Sequence, residues 1–273
     1  MLDSPLSIET DLTGSMPSSF HESMQAVQQN CELTPACFAR HGNIVDRYIR
    51  VSEMLEENPV DINIFGYDVE LNADELSYLM FGALYKPDAI AVLPDMLLDL
   101  ENGDAGLVEF LAITSGWGWG IDFTFLTYMC TDIVSASSPE QVEAQAIGIP
   151  AFDRVDDAPD GRGHTAQALC ERMRVRQPAA PAMREVTPST PMVVFSGSMD
   201  PITPFSSGQQ IVESVPNGTF VGFTDQSHGV THTPCGASIA VAFLEDPSAE
   251  LDLSCSLDEN REPFEFVEVA TTP

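Results

Sequence analysis

Positive charge is the scarcest property of this sequence. Lys and Arg number 11 against 42 Asp and Glu, a formal charge of −31, and Lys86 is the sole lysine. A field of that sign repels phosphate backbones and excludes nucleic acid as a charge-driven partner. Long apolar runs are missing as well: no stretch approaches the roughly 18 residues of a membrane span, so no membrane partner is expected. No leader with a basic start and an apolar middle is present, because Met1 runs straight into Leu2, Asp3, Ser4 and Pro5. There is no HExxH, no internal repeat and no long low-complexity tract, and no cofactor is implied.

Apolar residues make up 44% of the 273, enough to bury a sizeable core. Six cysteines fall into local couples, Cys31 with Cys37, Cys130 with Cys170, and Cys235 with Cys255. Their spacings fit neither a zinc ribbon nor a redox CxxC. Three disulfides imply an oxidising compartment, and the alternative is six buried free thiols in a cytosolic protein.

The first two thirds read as helical. Ser19 with Glu22 predicts a capping box and a helix towards Asn30. Ile44, Val45, Tyr48, Val51 and Leu55 recur at helical spacing up to Pro59. Val60–Phe65 and Val69–Leu71 flank a Gly66 turn as a hairpin, Asn72 starts a helix to Leu84, and a further helix follows Pro87 to Leu100. Residues 107–113 make another short helix, while the apolar run 121–130 reads as neither helix nor strand. Ser138-Pro139-Glu140 is a helix start, and residues 158–163 are turn-rich. Residues 115–120 read Ser-Gly-Trp-Gly-Trp-Gly; Trp117 and Trp119 are either walls of a substrate pocket or packed aromatics in a glycine turn. Pro178, Pro181, Pro188 and Pro191 mark a linker.

Beyond the linker the pattern alternates. A strand ending at Phe195 is followed by a helix over 206–215, a strand over 219–223 and a helix over 238–244, as in a parallel α/β sheet. Function in such sheets collects beyond the carboxyl ends of the strands, where Asp200 and His228 both fall. A carboxylate and an imidazole on neighbouring strand ends are the orienter and base of a Ser-His-Asp machine. The bland alternative has Asp200 capping its own turn before Pro201 and His228 loose in a loop. His228 and His232 stand four apart, but Gly229 and Pro234 argue against a helical metal pair there, and Asn217-Gly218-Thr219 is a formal glycosylation sequon.

The segment from Gly197 to Pro204 has the form Gly-x-x-Asp-x-x-Thr-Pro and resembles the acid motif of the tripeptidyl aminopeptidase-like α/β-hydrolases, a family that also includes prolyl aminopeptidases. Ser227-His228-Gly229 resembles the family's histidine loop. Cys235, Asp246-Pro247 and Cys255 resemble its last helix and tail, and the Cys31–Cys37 loop and Ala83-Leu84-Tyr85 resemble parts of its helical lid. The resemblance implies the C-terminal part of an α/β-hydrolase fold with a large, mostly helical lid. Residues 1–15 would be a sheet strand, 16–185 the lid and 186–273 the terminal α/β segment.

It also implies a secreted or periplasmic serine peptidase that releases amino acids or short peptides from a peptide's N-terminus. Asp200 and His228 would be its acid and base, with a peptide substrate and no metal. One departure is decisive for the chemistry. The family nucleophile sits in a Gly-x-Ser-x-Gly elbow, and none occurs here. The nucleophile, and any signal peptide, are therefore expected upstream of Met1, on the missing half of the hydrolase. The alternatives are a non-catalytic remnant, a half-protein that needs a partner chain, or an esterase on the same fold.

Overall fold

The computed structural model describes residues 1–7, 10–64, 66–115, 123–128, 130–131, 140, 143–157, 170–175, 188–256 and 264–268. The helical layer begins with α1 (Leu12–Leu33), α2 (Pro35–His41) and α3 (Ile44–Glu57). A hairpin of β2 (Val60–Ile64) and β3 (Tyr67–Leu71) leads into α4 (Ala73–Ala83), α5 (Pro87–Glu101), α6 (Gly106–Ser115) and α7 (Phe123–Tyr128). One helical turn, α8 (Pro150–Asp153), continues into a 3-10 turn at Arg154–Asp157.

α1 departs from the expected capping box. Its N-cap is Asp11, whose carboxylate accepts from the Thr13 amide and hydroxyl at 3.2 and 2.8 Å, and Ser19 is buried in mid-helix. Pro17 lies inside the helix, although proline forfeits one helical hydrogen bond. The apolar face of Met16, Phe20, Met24 and Val27 is fully buried, and packing on that scale outweighs one missing bond.

α3 shows the expected face: Ile44, Tyr48, Val51 and Leu55 are buried, and the Asn43 side chain accepts from the Asp46 amide at 3.0 Å. Asn72 caps α4, accepting from the amides of Asp74 and Glu75 at 3.0 Å each. Phe20 makes edge-to-face contacts with Tyr48, Phe81 and Phe152 at 5.5, 5.8 and 4.9 Å, tying α1, α3, α4 and α8 into one core. The Tyr48 hydroxyl donates to the Ala151 carbonyl at 2.6 Å, and complete burial pushes its pKa up.

The second layer is a parallel sheet of three strands in the order β1 (Leu2–Asp3), β4 (Met192–Gly197), β5 (Gly218–Phe223). Val193, Val194 and Phe195 of the central strand are inaccessible to solvent, as a strand covered on both faces requires. α9 (Phe205–Glu213) crosses from β4 to β5, and α10 (Pro234–Glu245) follows a 3-10 turn at Val230–His232. The fold is thus α/β with a large helical component.

Val193, Phe195, Val221, Phe223, Ile239 and Phe243 form a small core of their own. Met199, just past β4, packs instead into the core of the helical layer and so fastens the two layers together.

All three expected cysteine couples are disulfides: Cys31–Cys37, Cys130–Cys170 and Cys235–Cys255, with no free thiol remaining. Among the described residues no helix is long and apolar enough to cross a membrane. Trp117 and Trp119, the expected helix start at Ser138-Pro139, the turn at 158–163 and the linker prolines Pro178 and Pro181 lie outside the described residues.

Candidate active site

Two loops leave the carboxyl ends of β4 and β5 side by side and zip together. The Ser198 amide donates to the Phe223 carbonyl at 2.8 Å, the Met199 amide to Gln226 at 3.0 Å, and the Ser198 hydroxyl to Thr224 at 2.9 Å. Glycine is required where they meet. A Cβ on Gly197 would sit 2.4 Å from the Ser227 carbonyl oxygen. Gly229, which follows the histidine, has φ +83°, a conformation that disfavours side chains.

Asp200 is completely buried and uses both oxygens. Oδ1 accepts from the amides of Ile202 and Thr203 at 3.0 Å each. Oδ2 accepts from the Thr203 hydroxyl and lies 2.8 Å from Nδ1 of His228. Capping its own turn and contacting the histidine are therefore not alternatives for Asp200: Oδ1 takes the turn amides and Oδ2 faces the imidazole. Thr203 Oγ1 is also 3.2 Å from Nδ1, so the acid, the threonine and the imidazole form a closed triangle. The Gly197–Pro204 motif contains Thr203 but does not by itself give it a role. Its signal is the Asp-x-x-Thr spacing, which turns an i+3 amide and hydroxyl back onto one carboxylate.

The imidazole spans core and solvent, with its side chain 38% exposed against 0% for Asp200. Burial alone depresses its pKa, but the Asp200 hydrogen bond and charge, with Asp3 adding to them, outweigh burial and the opposing Lys86, so His228 is raised above an ordinary histidine. A base held in place by a carboxylate on Nδ1 leaves Nε2 to exchange a proton on its other side.

The helical layer reaches this point from two sides. From α1, the Ser23 hydroxyl donates to the Asp200 carbonyl at 2.7 Å, Asn30 donates to the Thr224 carbonyl at 2.7 Å, and Glu22 accepts from the Ser206 hydroxyl at 3.0 Å. Past α4, the Leu84 carbonyl accepts from the Ser227 hydroxyl, and the Tyr85 ring lies 5.2 Å from that of His228. Tyr85 is thus an aromatic at the site among the described residues. His232 belongs to the 3-10 turn.

No curated protein matches the chain. Residues 160–255, which hold both Asp200 and His228, are similar to the α/β-hydrolase family described as TAP-like protein.

Proposed function

We propose that this chain supplies the acid, Asp200, and the general base, His228, of an exported serine peptidase that removes amino acids or short peptides from the N-terminus of a peptide. The observation that carries this reading is the 2.8 Å contact between buried Asp200 and half-exposed His228 at adjoining strand ends. In the cycle, Nε2 of His228 takes the proton of a serine hydroxyl as that oxygen attacks the carbonyl. The Asp200 carboxylate stabilises the imidazolium, and the same proton then passes to the departing amine. The TAP-like match supports hydrolase chemistry, and three disulfides with no membrane-crossing helix among the described residues support a secreted or periplasmic setting.

A second reading is favoured by one specific observation: the 273 residues contain no Gly-x-Ser-x-Gly. Under it the chain is a half-protein whose nucleophile arrives on another polypeptide segment, or a remnant without catalysis. Chromogenic aminoacyl and tripeptidyl anilides, nitrophenyl esters and a fluorophosphonate label separate these readings. The chain alone should neither turn over nor take the label. Combined with a segment carrying the serine elbow, it should cleave anilides, and Asp200→Asn should lower kcat by on the order of 10⁴. A labelled serine within these residues would overturn the missing nucleophile. Preference for esters would make it an esterase, and silence in every combination would leave the remnant.

A further inference from the structure

We propose that Asp3 and Ser4, at the end of β1, are positioning residues that hold the His228 loop in register with Asp200; this rests on the reading of His228 as the general base. The three backbone amides that follow the histidine all end on these two side chains. The Gly229 amide donates to the Ser4 hydroxyl oxygen at 2.8 Å, the Val230 amide to Asp3 Oδ1 at 3.0 Å, and the Thr231 amide to Asp3 Oδ2 at 3.0 Å. The Thr231 hydroxyl donates to the same Oδ2. One carboxylate and one hydroxyl thus replace the strand or helix partners that a loop lacks, and every amide of residues 229–231 is satisfied.

The anchor is itself fixed to the sheet. Asp3 pairs with Phe195 in the register of β1 and β4, and the Ser4 amide donates to the Phe195 carbonyl at 2.9 Å. β4 is the strand whose end carries Asp200, so acid and base are both referred to one strand.

Ser4 shows that the local backbone is bent to this purpose. It is buried and has φ +50°, in the left-handed region where a residue other than glycine is strained. Glycine would occupy that conformation freely but would leave the Gly229 amide without its acceptor. Asp3 also faces His228 electrostatically, on the same side of the balance as Asp200 and against Lys86.

The test uses the full ¹⁵N-labelled chain, with Asp3→Asn and Ser4→Gly compared to wild type by amide exchange and by titration of the His228 ring. Ser4→Gly should leave the chain folded, because relief of the left-handed strain offsets part of the lost hydrogen bond, speed exchange at Gly229 about fivefold and shift the His228 ring signals. Asp3→Asn should speed exchange at Val230 and Thr231 and move the His228 titration to lower pH. Faster exchange with an unmoved His228 titration would reduce Asp3 to a structural cap and overturn the proposal. If Asp3→Asn does not fold, a folded Ser4→Gly whose Gly229 exchange and ring signals match wild type overturns it equally. Asp200→Asn, run alongside, keeps the two claims apart: a His228 that ignores Asp200 sinks the base assignment, whatever Asp3 does.

Discussion

Gly197 and Ser227 meet backbone to backbone, so closely that a Cβ on the glycine would stand 2.4 Å from the Ser227 carbonyl oxygen and 2.5 Å from that of Gln226. This contact places the last residue of β4 directly beneath the peptide that leads to His228. The atoms in the way are main chain, so no side-chain rotation relieves the clash.

Gly197→Ala should therefore push the histidine loop off the acid loop. The expected loss is about 1–3 kcal/mol, the range for overpacking a tight site. The His228 titration should move towards that of an ordinary histidine as the Asp200 contact opens. Urea unfolding and ring NMR on the same sample check both. An alanine variant with unchanged stability and titration would show that the loops are not held by this approach.

His41 gives a pH dependence of definite sign. It is buried where α2 meets α5, with Nε2 3.5 Å from Asp95 Oδ1, its carbonyl accepting from Arg47 at 2.6 Å, and Arg40 on the same Asp95. Burial pushes its pKa down, the charges of Arg47 and Arg40 act the same way, and Asp95 and Glu268 oppose them. The folded protein thus resists a proton that the unfolded chain accepts near pH 6.5, so this residue's contribution is complete above that value and is lost as pH falls from it to the lower pKa of the folded state. His41→Gln should flatten the decline in unfolding free energy between about pH 7.5 and 5. His21, also held low by burial, is common to both proteins and cancels in the difference. Parallel stability curves would contradict the assignment.

The disulfides should rank by the loops they close. Sequence separations of 6, 20 and 40 for Cys31–Cys37, Cys235–Cys255 and Cys130–Cys170 give about 2, 3 and 4 kcal/mol from chain entropy. Paired Cys→Ser variants measured by urea unfolding should lose stability in that order. Peptide mapping without reductant should recover these three pairs. Crossed pairs or free thiols would undo the ranking and the case for an oxidising compartment.

Local rules made much of this legible. α3 followed from the spacing of Ile44, Tyr48, Val51 and Leu55, α4 from Asn72, and the β4–α9–β5 alternation from short apolar runs between turns. The meeting of Asp200 and His228 followed because consecutive parallel strands end on one edge. The start of α1 did not follow: Pro17 reads as a breaker, and only tertiary burial of Phe20 and Met24 shows why the helix runs through it. Glu22, read as half of a capping box, turns instead to Ser206. The contacts that Asp3, Ser4, Ser23 and Tyr85 make at the site are not legible in the sequence, because their partners lie roughly 140 to 230 positions away along the chain, where no local pattern points.

The central claim is that Asp200 orients and polarises His228, and the most direct measurement is the ¹⁵N titration of that ring in wild type and Asp200→Asn. The wild-type imidazole should carry a proton on Nδ1 and hold its charge to a pH above the ordinary histidine value near 6.5. In Asp200→Asn the carboxylate's charge is gone, burial dominates, and the titration should fall to a lower pH. Superimposable titrations in the two proteins would contradict the account, because the 2.8 Å contact would then be a neighbour relation without chemical consequence.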